Sequence, residues 1–344
     1  MRKILPRKDL KLAPLLALAF GLAFTGWLIS TTNLPALIAS FANVGWGVAA
    51  IVAVRATMIA TNGIAWARLL ERLADIPVRI FILSRWIRDA VDAMLPVAGV
   101  GGSLVGARIL TFWKMPVRLA AAGAVADLLV QTIAQALFAL SGALLLARFS
   151  DLQLVVPTVF LGAAIATAAL AGFYFLQRYA GARFADRILE CLSRWLTLPA
   201  VKAGLSFRIV MEQIWRGRWN YVFGALALHA LAWTFGTLEV FIALRCMQWP
   251  VTAVQAVILE SLGASISSAA FLIPGSWGVQ EGGYILIGHM LGVPMSFSLA
   301  LSFVKRVPDL VLGVSGLAVW YVLETRNAVG AITGRLDQPL GPGD

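Results

Sequence analysis

One apolar stretch near the C-terminal end of the chain is broken in its middle, and this break limits the folds that the chain can adopt. Residues 270–290 read AFLIPGSWGVQEGGYILIGHM, with Pro274, Gly275 and Gly278 inside otherwise apolar sequence. A Pro-Gly break ends a helix and frees backbone N–H and C=O groups, which lipid cannot satisfy. We therefore expect protein or a water-filled cavity to surround the break.

Two polar residues, Gln280 and Glu281, follow this break at the start of the second helical piece. Exposed amides and the positive end of a helix favour an anion there, and a carboxylate inside a membrane is a candidate functional residue. The sequence therefore favours a transport or binding site at the break. The alternative is a re-entrant hairpin that only packs.

The composition is that of a membrane protein. Of 344 residues, 60% are hydrophobic and 13% are charged, which is too apolar for a soluble domain of this length. The net charge of +11 is compatible with nucleic-acid binding, but cytoplasmic loops of membrane proteins also retain Lys and Arg. We therefore interpret the chain as a multi-pass membrane protein, with no nucleic-acid partner.

The predicted fold class is all-α, with about six full transmembrane helices and two re-entrant, broken helical hairpins. The apolar runs reach the roughly 20 residues that a helix needs to cross a bilayer, and they do not alternate with the period of barrel strands. Full spans are predicted at about 12–30, 45–69, 118–147, 152–176, 219–246 and 295–322. The broken hairpins are predicted at 80–113 and 251–291.

The distribution of basic residues predicts an inverted repeat within a single transmembrane domain, 1–344. It places both termini and the loop 177–218 in the cytoplasm. Segments 45–147 and 219–322, each with one hairpin, then become inverted copies. Their breaks correspond in kind, and inverted repeats with matching Gly/Pro interruptions indicate a transporter's midplane site. The break residues are Pro96, Gly99, Gly101 and Gly102 in the first hairpin, and Pro274, Gly275 and Gly278 in the second.

Three segments outside the spans have predicted structures of their own. In the loop 177–218, one helical face is apolar and predicts an interfacial helix on the inner leaflet; its residues are Phe184, Ile188, Leu192 and Trp195. Residues 33–44 show a weaker version of this pattern. Residues 326–344 carry Gly and Pro with little apolar pattern and predict a mobile tail.

Ionisable residues inside the apolar segments need partners. At the bilayer centre each costs about 2.5–3.5 kcal/mol on insertion scales, so they are expected to face one another or a wet cavity. Lys305 and Asp309 are one helical turn apart and can pair on one face of the last span. Arg85, Asp89 and Asp92 form a similar stripe. Structural pairing and a functional role both remain open for these two sets.

The candidate site residues divide into two groups. Arg108 and Glu281 each lie just beyond a helix break, which favours a functional role. Asp127 and Glu239, together with Asp89 and Asp92, indicate either a proton or ion relay or polar locks between helices. The predicted substrate-binding residues are Arg108, Gln280, Glu281, Lys305, Arg306 and Asp309.

No motif for a cofactor, a metal or a catalytic centre is found in the sequence. His229 and His289 are too few and too far apart for a metal cage, and each is predicted to be a hydrogen-bonded core histidine. The glycines of residues 99–106 have no preceding strand, as a dinucleotide loop would require. No nucleophile-base pair has a recognisable spacing, so no catalytic residue is assigned.

Two motifs resemble a known family. Residues 273–283, IPGSWGVQEGG, and 301–310, LSFVKRVPDL, resemble the C-terminal signature of the flippase-like lysylphosphatidylglycerol synthase transmembrane-region family. Residues 95–102 with Arg108 resemble the first motif of its hopanoid-biosynthesis-associated subfamily. The family usually has a carboxylate after the glycine pair of the first motif, and here that position is Ser103.

The resemblance implies a lipid-translocating membrane domain with two re-entrant hairpins. In the lysyl-lipid synthases, aminoacyl transfer belongs to an appended soluble domain, for which this chain has no room, so synthase activity is not expected. The first hypothesis is a lipid flippase or transporter of a bacterial inner membrane, which moves a hopanoid, another isoprenoid or a phospholipid through a cavity between the hairpins.

Two other hypotheses remain open from the sequence. The first is an intramembrane lipid-modifying enzyme, with Asp89, Asp92 and Glu281 as acid or base. The second is an accessory scaffold that binds a lipid-biosynthesis enzyme through the loop 177–218. The expected partner in every case is a membrane lipid.

Overall fold

The computed structural model describes Ala19 and residues 22–95, 101–149, 207–270 and 273–336, and these residues form helices without any strand. In chain order the helices are α1 (Leu22–Thr31), α2 (Leu34–Val44), α3 (Gly47–Leu70), α4 (Val78–Met94), α5 (Gly101–Thr111), α6 (Val117–Phe149), α7 (Phe207–Trp215), α8 (Trp219–Cys246), α9 (Ala253–Ala269), α10 (Val279–Met290) and α11 (Met295–Leu336). A 3₁₀ turn, Pro274–Ser276, lies between α9 and α10.

Four of the described helices, α3, α6, α8 and α11, are long and apolar enough to cross a membrane. They coincide with four of the six predicted spans. The bent pair α1 and α2 counts as a fifth span if it is taken as one segment. The predicted span 12–30 is described only in part, and the span 152–176 lies outside the described residues. The prediction of an all-α, multi-pass membrane protein is confirmed.

A sharp bend separates α1 from α2. The two helices meet at 105°. The Asn33 side chain accepts a hydrogen bond from the Ala36 backbone N–H at 3.1 Å and so caps the first turn of α2. A new helix therefore starts at the bend and leaves the direction of α1.

Short paired helices form at both predicted hairpins. Helix α4 packs against α5, and α9 packs against α10. In the second break, Gly275 and Gly278 have φ angles of +63° and +80°, which glycine adopts without the steric cost of a side chain. Pro96 and Gly99 of the first break lie outside the described residues. The re-entrant placement of both pairs in a membrane stays a prediction.

The two predicted repeats make the same helix contacts. In each, the first long helix packs against the first half of the hairpin, and the second half packs against the last long helix. The equivalent series are α3 to α6 and α8 to α11, and α3 packs along α8. The inverted orientation of the two copies across a membrane stays a prediction.

Each series of helices has an apolar core. Trp66, Leu70 and Leu110 are fully buried in the first core, and Val240 and Leu259 are fully buried in the second. Close packing of such side chains provides the van der Waals contact that holds helices together in lipid. Each core also includes residues of the other series, and the two series pack together along α3 and α8, α4 and α11, and α6 and α9.

Two boundaries differ from the sequence-based prediction. Helix α11 continues to Leu336, so the predicted start of the mobile tail at residue 326 lies inside a helix. The end of the predicted polar loop forms α7, which packs against α6 with Met211 and Ile214 buried. Apolar residues three and four positions apart were the signal for this helix. The interfacial helix predicted from Phe184 to Trp195 lies outside the described residues.

Candidate functional site

A first cluster of charged side chains joins α3, α8 and α11. Arg55 donates from Nε and Nη2 to the two oxygens of Glu239, at 2.6 and 2.7 Å. Its Nη1 donates to Asp309 Oδ1 at 2.9 Å. Glu239 is fully buried, so these charged hydrogen bonds replace the water that an isolated carboxylate would need.

Lys305 extends the first cluster to α9. Its Nζ donates to Glu260 Oε2 at 2.6 Å and to Glu239 Oε2 at 3.3 Å. Lys305 therefore does not pair with Asp309, although their spacing along α11 allows it. Lys305 instead reaches two buried carboxylates on neighbouring helices, where attraction between charges is strong at low dielectric, and Asp309 is bound by Arg55.

A second cluster is centred on Asp127 of α6, which is fully buried. Arg88 Nη1 donates to its Oδ2 at 2.9 Å, and His229 Nε2 lies 3.1 Å from its Oδ1. His229 Nδ1 lies 2.7 Å from Asn62 Oδ1. The prediction that His229 is a hydrogen-bonded core histidine is confirmed. His289 is exposed at the end of α10, so the same prediction for it is wrong.

Part of the predicted stripe on α4 belongs to this second cluster. Arg85 Nε donates to the Asp89 carboxylate at 2.9 Å, as the one-turn spacing predicts. Gln131 Oε1 accepts from Arg85 Nη1 at 3.0 Å and from Arg88 Nη2 at 3.3 Å. Gln131 therefore connects two arginines one turn after Asp127 on α6.

Asp92, the third residue of the stripe, caps the other half of its hairpin. Its Oδ1 accepts a hydrogen bond from the Gly102 backbone N–H at 2.9 Å, at the start of α5. Glu281 likewise accepts from the Gly278 N–H at 2.7 Å, at the start of α10. Both hairpins thus place a carboxylate at the N-terminus of their second helix, which favours negative charge. In the first hairpin this carboxylate comes from Asp92 of α4. The family motif would instead supply it from α5, at the position that Ser103 occupies in this chain.

Arg306 holds the second break together. It donates from Nε and Nη2 to Glu281 Oε1 at 2.9 and 2.7 Å, and from Nη1 to the Gly275 carbonyl at 2.9 Å. Its guanidinium lies 3.9 Å from the centre of the Trp277 ring. Gln280 Nε2 donates to the Ser302 carbonyl at 3.3 Å. These contacts fix the irregular backbone between α9 and α10.

Arg108 makes a separate contact. It binds Glu324 with two hydrogen bonds, at 2.6 and 2.9 Å, and so connects α5 to α11. The structure thus distributes the predicted substrate-binding residues over three places. Lys305 and Asp309 lie in the first cluster, and Gln280, Glu281 and Arg306 lie at the second break.

A cavity of about 300 Å³ lies among α3, α4, α6, α8 and α11 and contacts both charged clusters. Pockets that take small ligands start at roughly this volume. Its polar and aromatic lining consists of Arg55, Asn62, Arg85, Trp86, Asp89, Asp92, Gln131, Trp233 and Asp309. Of the predicted site residues, Asp309, Asp89 and Asp92 line the cavity, whereas Arg108, Gln280, Glu281, Lys305 and Arg306 do not.

Several lining residues were not predicted as site residues. Asn62 follows Arg55 by two helical turns on α3, and Gln131 follows Asp127 by one turn on α6. Both amides therefore lie on the same helix face as an ionisable residue, and this pattern could have predicted them as site residues. Trp86 and Trp233 carried no such signal, because tryptophan is common in apolar helices.

The described residues contain no group of three or more His, Cys, Asp and Glu side chains placed to hold a metal ion. The chemistry available in the cavity is hydrogen bonding from carboxylates, amides and guanidinium groups, beside two indole rings. Polar and ionisable groups among membrane-length helices commonly mark a substrate or ion pathway. The arrangement therefore suits the binding of a polar group within an apolar protein.

Membrane-length helices that enclose paired charges and a polar cavity define a polytopic helical membrane protein. A family model described as the lysylphosphatidylglycerol synthase TM region matches residues 15–316, and the chain belongs to this family. Comparisons with curated proteins and with solved structures gave no significant match. Family membership makes this a lipid-related membrane protein. The hopanoid-associated subfamily stays a prediction.

Proposed function

We propose that this protein translocates a membrane lipid, whose polar head enters the cavity while its tail stays in the bilayer. The observation that carries the proposal is the polar cavity itself, which lies within helices long enough to cross a membrane. Arg55 and Asn62 lie in the interior of α3, and Trp233 lies in the interior of α8. Charged lining at this depth is costly and needs a functional reason.

The pathway in this proposal runs beside the first hairpin. Helix α4, the first half of that hairpin, contributes Arg85, Asp89 and Asp92 to the lining, and α11 contributes Asp309. Glu281 and Arg306 support the second break at a distance from the head group. The lipid is a hopanoid, another isoprenoid or a phospholipid, and it moves without covalent change. In this proposal the protein lies in the inner membrane with both chain termini in the cytoplasm.

A cavity-blocking variant tests this proposal. Ala93 lines the cavity and is exposed, so Ala93→Trp fills space without crowding a buried contact. The matched control is Ala56→Trp, because Ala56 is exposed on α3 and does not line the cavity. The assay uses proteoliposomes with fluorescent lipid analogues and measures how fast the outer label becomes protected from a membrane-impermeant reductant.

We expect Ala93→Trp to lose most of the translocation rate and Ala56→Trp to retain it. Wild-type rates in a folded Ala93→Trp protein would show that the cavity is not the pathway. If the wild-type protein moves none of the lipid classes tested, the transport proposal itself fails.

An intramembrane lipid-modifying enzyme is the second candidate, because two carboxylates, Asp89 and Asp92, line the same cavity. Such a pair can act as acid and base. Mass spectrometry of lipids incubated with the purified protein distinguishes the two functions, since translocation leaves the lipid mass unchanged. The accessory-scaffold hypothesis rests on the loop 177–218, most of which lies outside the described residues.

A further inference from the structure

The charges that line the cavity are largely balanced before any ligand binds. Arg55 is bound to Glu239 and Asp309, and Arg85 is bound to Asp89. A bare phosphate group would have to compete with these carboxylates for both guanidinium groups. Breaking a buried ion pair is strongly unfavourable, so the lining is poorly suited to a phosphate monoester.

An ammonium group is also poorly matched. Asp89 and Asp309 are already held by arginines, and the remaining lining carboxylate, Asp92, faces the start of α5 through the Gly102 N–H. The positive end of a helix offsets part of that carboxylate's charge. Each carboxylate in the lining therefore already has a positive neighbour. This weakens its attraction for the cation of a ligand.

The lining nevertheless offers neutral hydrogen-bonding groups. Gln131 Oε1 accepts from Arg85 and Arg88, and this fixes the orientation of the amide. Its Nε2 makes no hydrogen bond with any residue that the structure describes, and it is a donor. Each lining carboxylate also keeps further acceptor positions, because an ionised carboxylate can accept about four hydrogen bonds. Alternating donors and acceptors of this kind suit hydroxyl groups.

Two indole rings also line the cavity, and both are held in place. Trp86 Nε1 donates to the Leu312 carbonyl at 2.8 Å. Trp233 stacks on Phe138 with ring centres 5.5 Å apart. Fixed aromatic rings give a ligand a flat apolar surface at little entropic cost. A sugar or polyol combines hydroxyl groups with apolar C–H edges, so it can use both parts of the lining.

We infer that the cavity binds a neutral, polyhydroxylated head group, such as the sugar or polyol of an amphiphile. The inference rests on the proposed function only in assigning the cavity to the head group. It concerns binding, which can be measured without translocation.

The test measures lipid binding in phosphatidylcholine nanodiscs. The protein is purified in a detergent without a sugar head, because a maltoside would compete for the cavity. Three dioleoyl probes are offered at equal concentration: glucosyl diacylglycerol, phosphatidic acid and a trimethylammonium-propane lipid. Bound lipid is quantified by mass spectrometry. We expect the glucosyl lipid to be enriched over the other two.

Two variants link this binding to the cavity. Gln131→Leu removes the amide and is expected to weaken glucosyl-lipid binding about tenfold, as loss of one or two hydrogen bonds implies. Gln135→Leu is the control, because Gln135 lies one turn further on α6, donates to Ser268 Oγ at 2.6 Å and does not line the cavity. Binding by the control variant is expected to match the wild type.

Asp92→Asn distinguishes a hydroxyl ligand from a cation. The amide oxygen still accepts from the Gly102 N–H, and the side chain can still bind a hydroxyl group. We therefore expect glucosyl-lipid binding to weaken about fivefold, because a hydroxyl group bonds a neutral amide oxygen less strongly than a carboxylate. An ammonium ligand would instead lose most of its binding when the charge is removed.

Each outcome has a distinct meaning. Preferred binding of phosphatidic acid or of the ammonium lipid overturns the inference and leaves lipid transport intact. Failure of the folded wild-type protein to bind the glucosyl lipid also overturns it. Glucosyl-lipid binding that Gln131→Leu weakens, without translocation of any probe, supports the inference and contradicts the proposed transport function.

Discussion

Glu239 illustrates how single residues keep charge inside this apolar protein. Its side chain is fully buried and accepts two hydrogen bonds from Arg55 and one from Lys305. Neither cation could remain buried here without a carboxylate partner. Through Arg55 and Lys305, Glu239 therefore holds α3 and α11 against α8 in one arrangement.

Replacement of Glu239 by glutamine removes this charge and keeps the side-chain volume. We expect a loss of about 2–3 kcal/mol in the free energy of unfolding, because the charged hydrogen bonds to Glu239 are weakened while Arg55 keeps Asp309 and Lys305 keeps Glu260. The measurement is unfolding in mixed micelles with increasing sodium dodecyl sulfate.

The matched control is Glu71→Gln, in a pair with Arg68 in which both side chains are substantially exposed. Exposed ion pairs contribute less than about 1 kcal/mol, so this variant should unfold close to the wild type. Equal effects of the two substitutions would contradict the assignment of Glu239 as a buried lock between helices.

At the level of helices, the contact of α3 with α4 depends on a glycine. A Cβ atom added at Gly63 would lie 2.6 Å from the Ile82 Cα atom, which is backbone and cannot turn aside. The close approach brings Arg85 and Asn62 into the same cluster. The position of this glycine therefore helps to place the cavity lining.

Gly63→Ala should lower the free energy of unfolding by about 1–3 kcal/mol through overpacking. Gly26→Ala on α1 is the control, because nothing lies within 4 Å of a Cβ atom added there. Alanine favours a helix over glycine by about 1 kcal/mol, so the control should be neutral or slightly more stable. Unchanged stability of Gly63→Ala would show that α3 and α4 separate easily.

The second break depends in the same way on Arg306. Lysine has one ammonium group and cannot contact Glu281, the Gly275 carbonyl and the Trp277 ring together. Arg306→Lys is expected to lower both thermal stability and lipid translocation, and Glu281→Gln is expected to abolish translocation while leaving expression intact.

The double variant should lose less stability than the sum of the single losses, because the two side chains act as one unit. Arg245→Lys is the control, since Arg245 also lies over an aromatic ring but is exposed. If the Glu281→Gln protein translocates lipid at the wild-type rate, Glu281 has no role in transport.

Across the whole molecule, the two charged clusters have equivalent positions. Both contain residues of α3 and α8. The first cluster adds the last long helix and the first hairpin helix of the second repeat, α11 and α9, and the second cluster adds the same elements of the first repeat, α6 and α4. The cavity contacts both clusters, through Arg55 and Asp309 on one side and through Arg85 and Gln131 on the other. A bound head group would therefore contact both halves, which is where alternating access in repeat-built transporters takes place.

The inverted arrangement predicts opposite sidedness for the two hairpins. In a variant without native cysteines, Asp75→Cys precedes α4 and should react with a membrane-impermeant maleimide only from the cytoplasm. His289→Cys at the end of α10 should react only from the periplasm. Both positions are exposed in the structure. Labelling of both from the same side would exclude the inverted repeat.

The helical spans and the positions of several breaks can be read from the amino-acid sequence alone. The spans of α3, α6, α8 and α11 follow from apolar runs of membrane length, because a helix satisfies its own backbone in lipid. The pair of Arg85 with Asp89 also follows from local spacing. These features depend on residues close together in the chain, so local patterns are sufficient to predict them.

The partners of the other buried charges depend on how the helices pack, which the sequence does not show. Spacing along α11 allowed Lys305 to pair with Asp309, yet Lys305 binds Glu239 and Glu260, and Asp309 binds Arg55. These partners lie on helices far apart in sequence, and no local pattern states which helices will be neighbours. The cavity is likewise a product of packing, because five separate helices supply its lining.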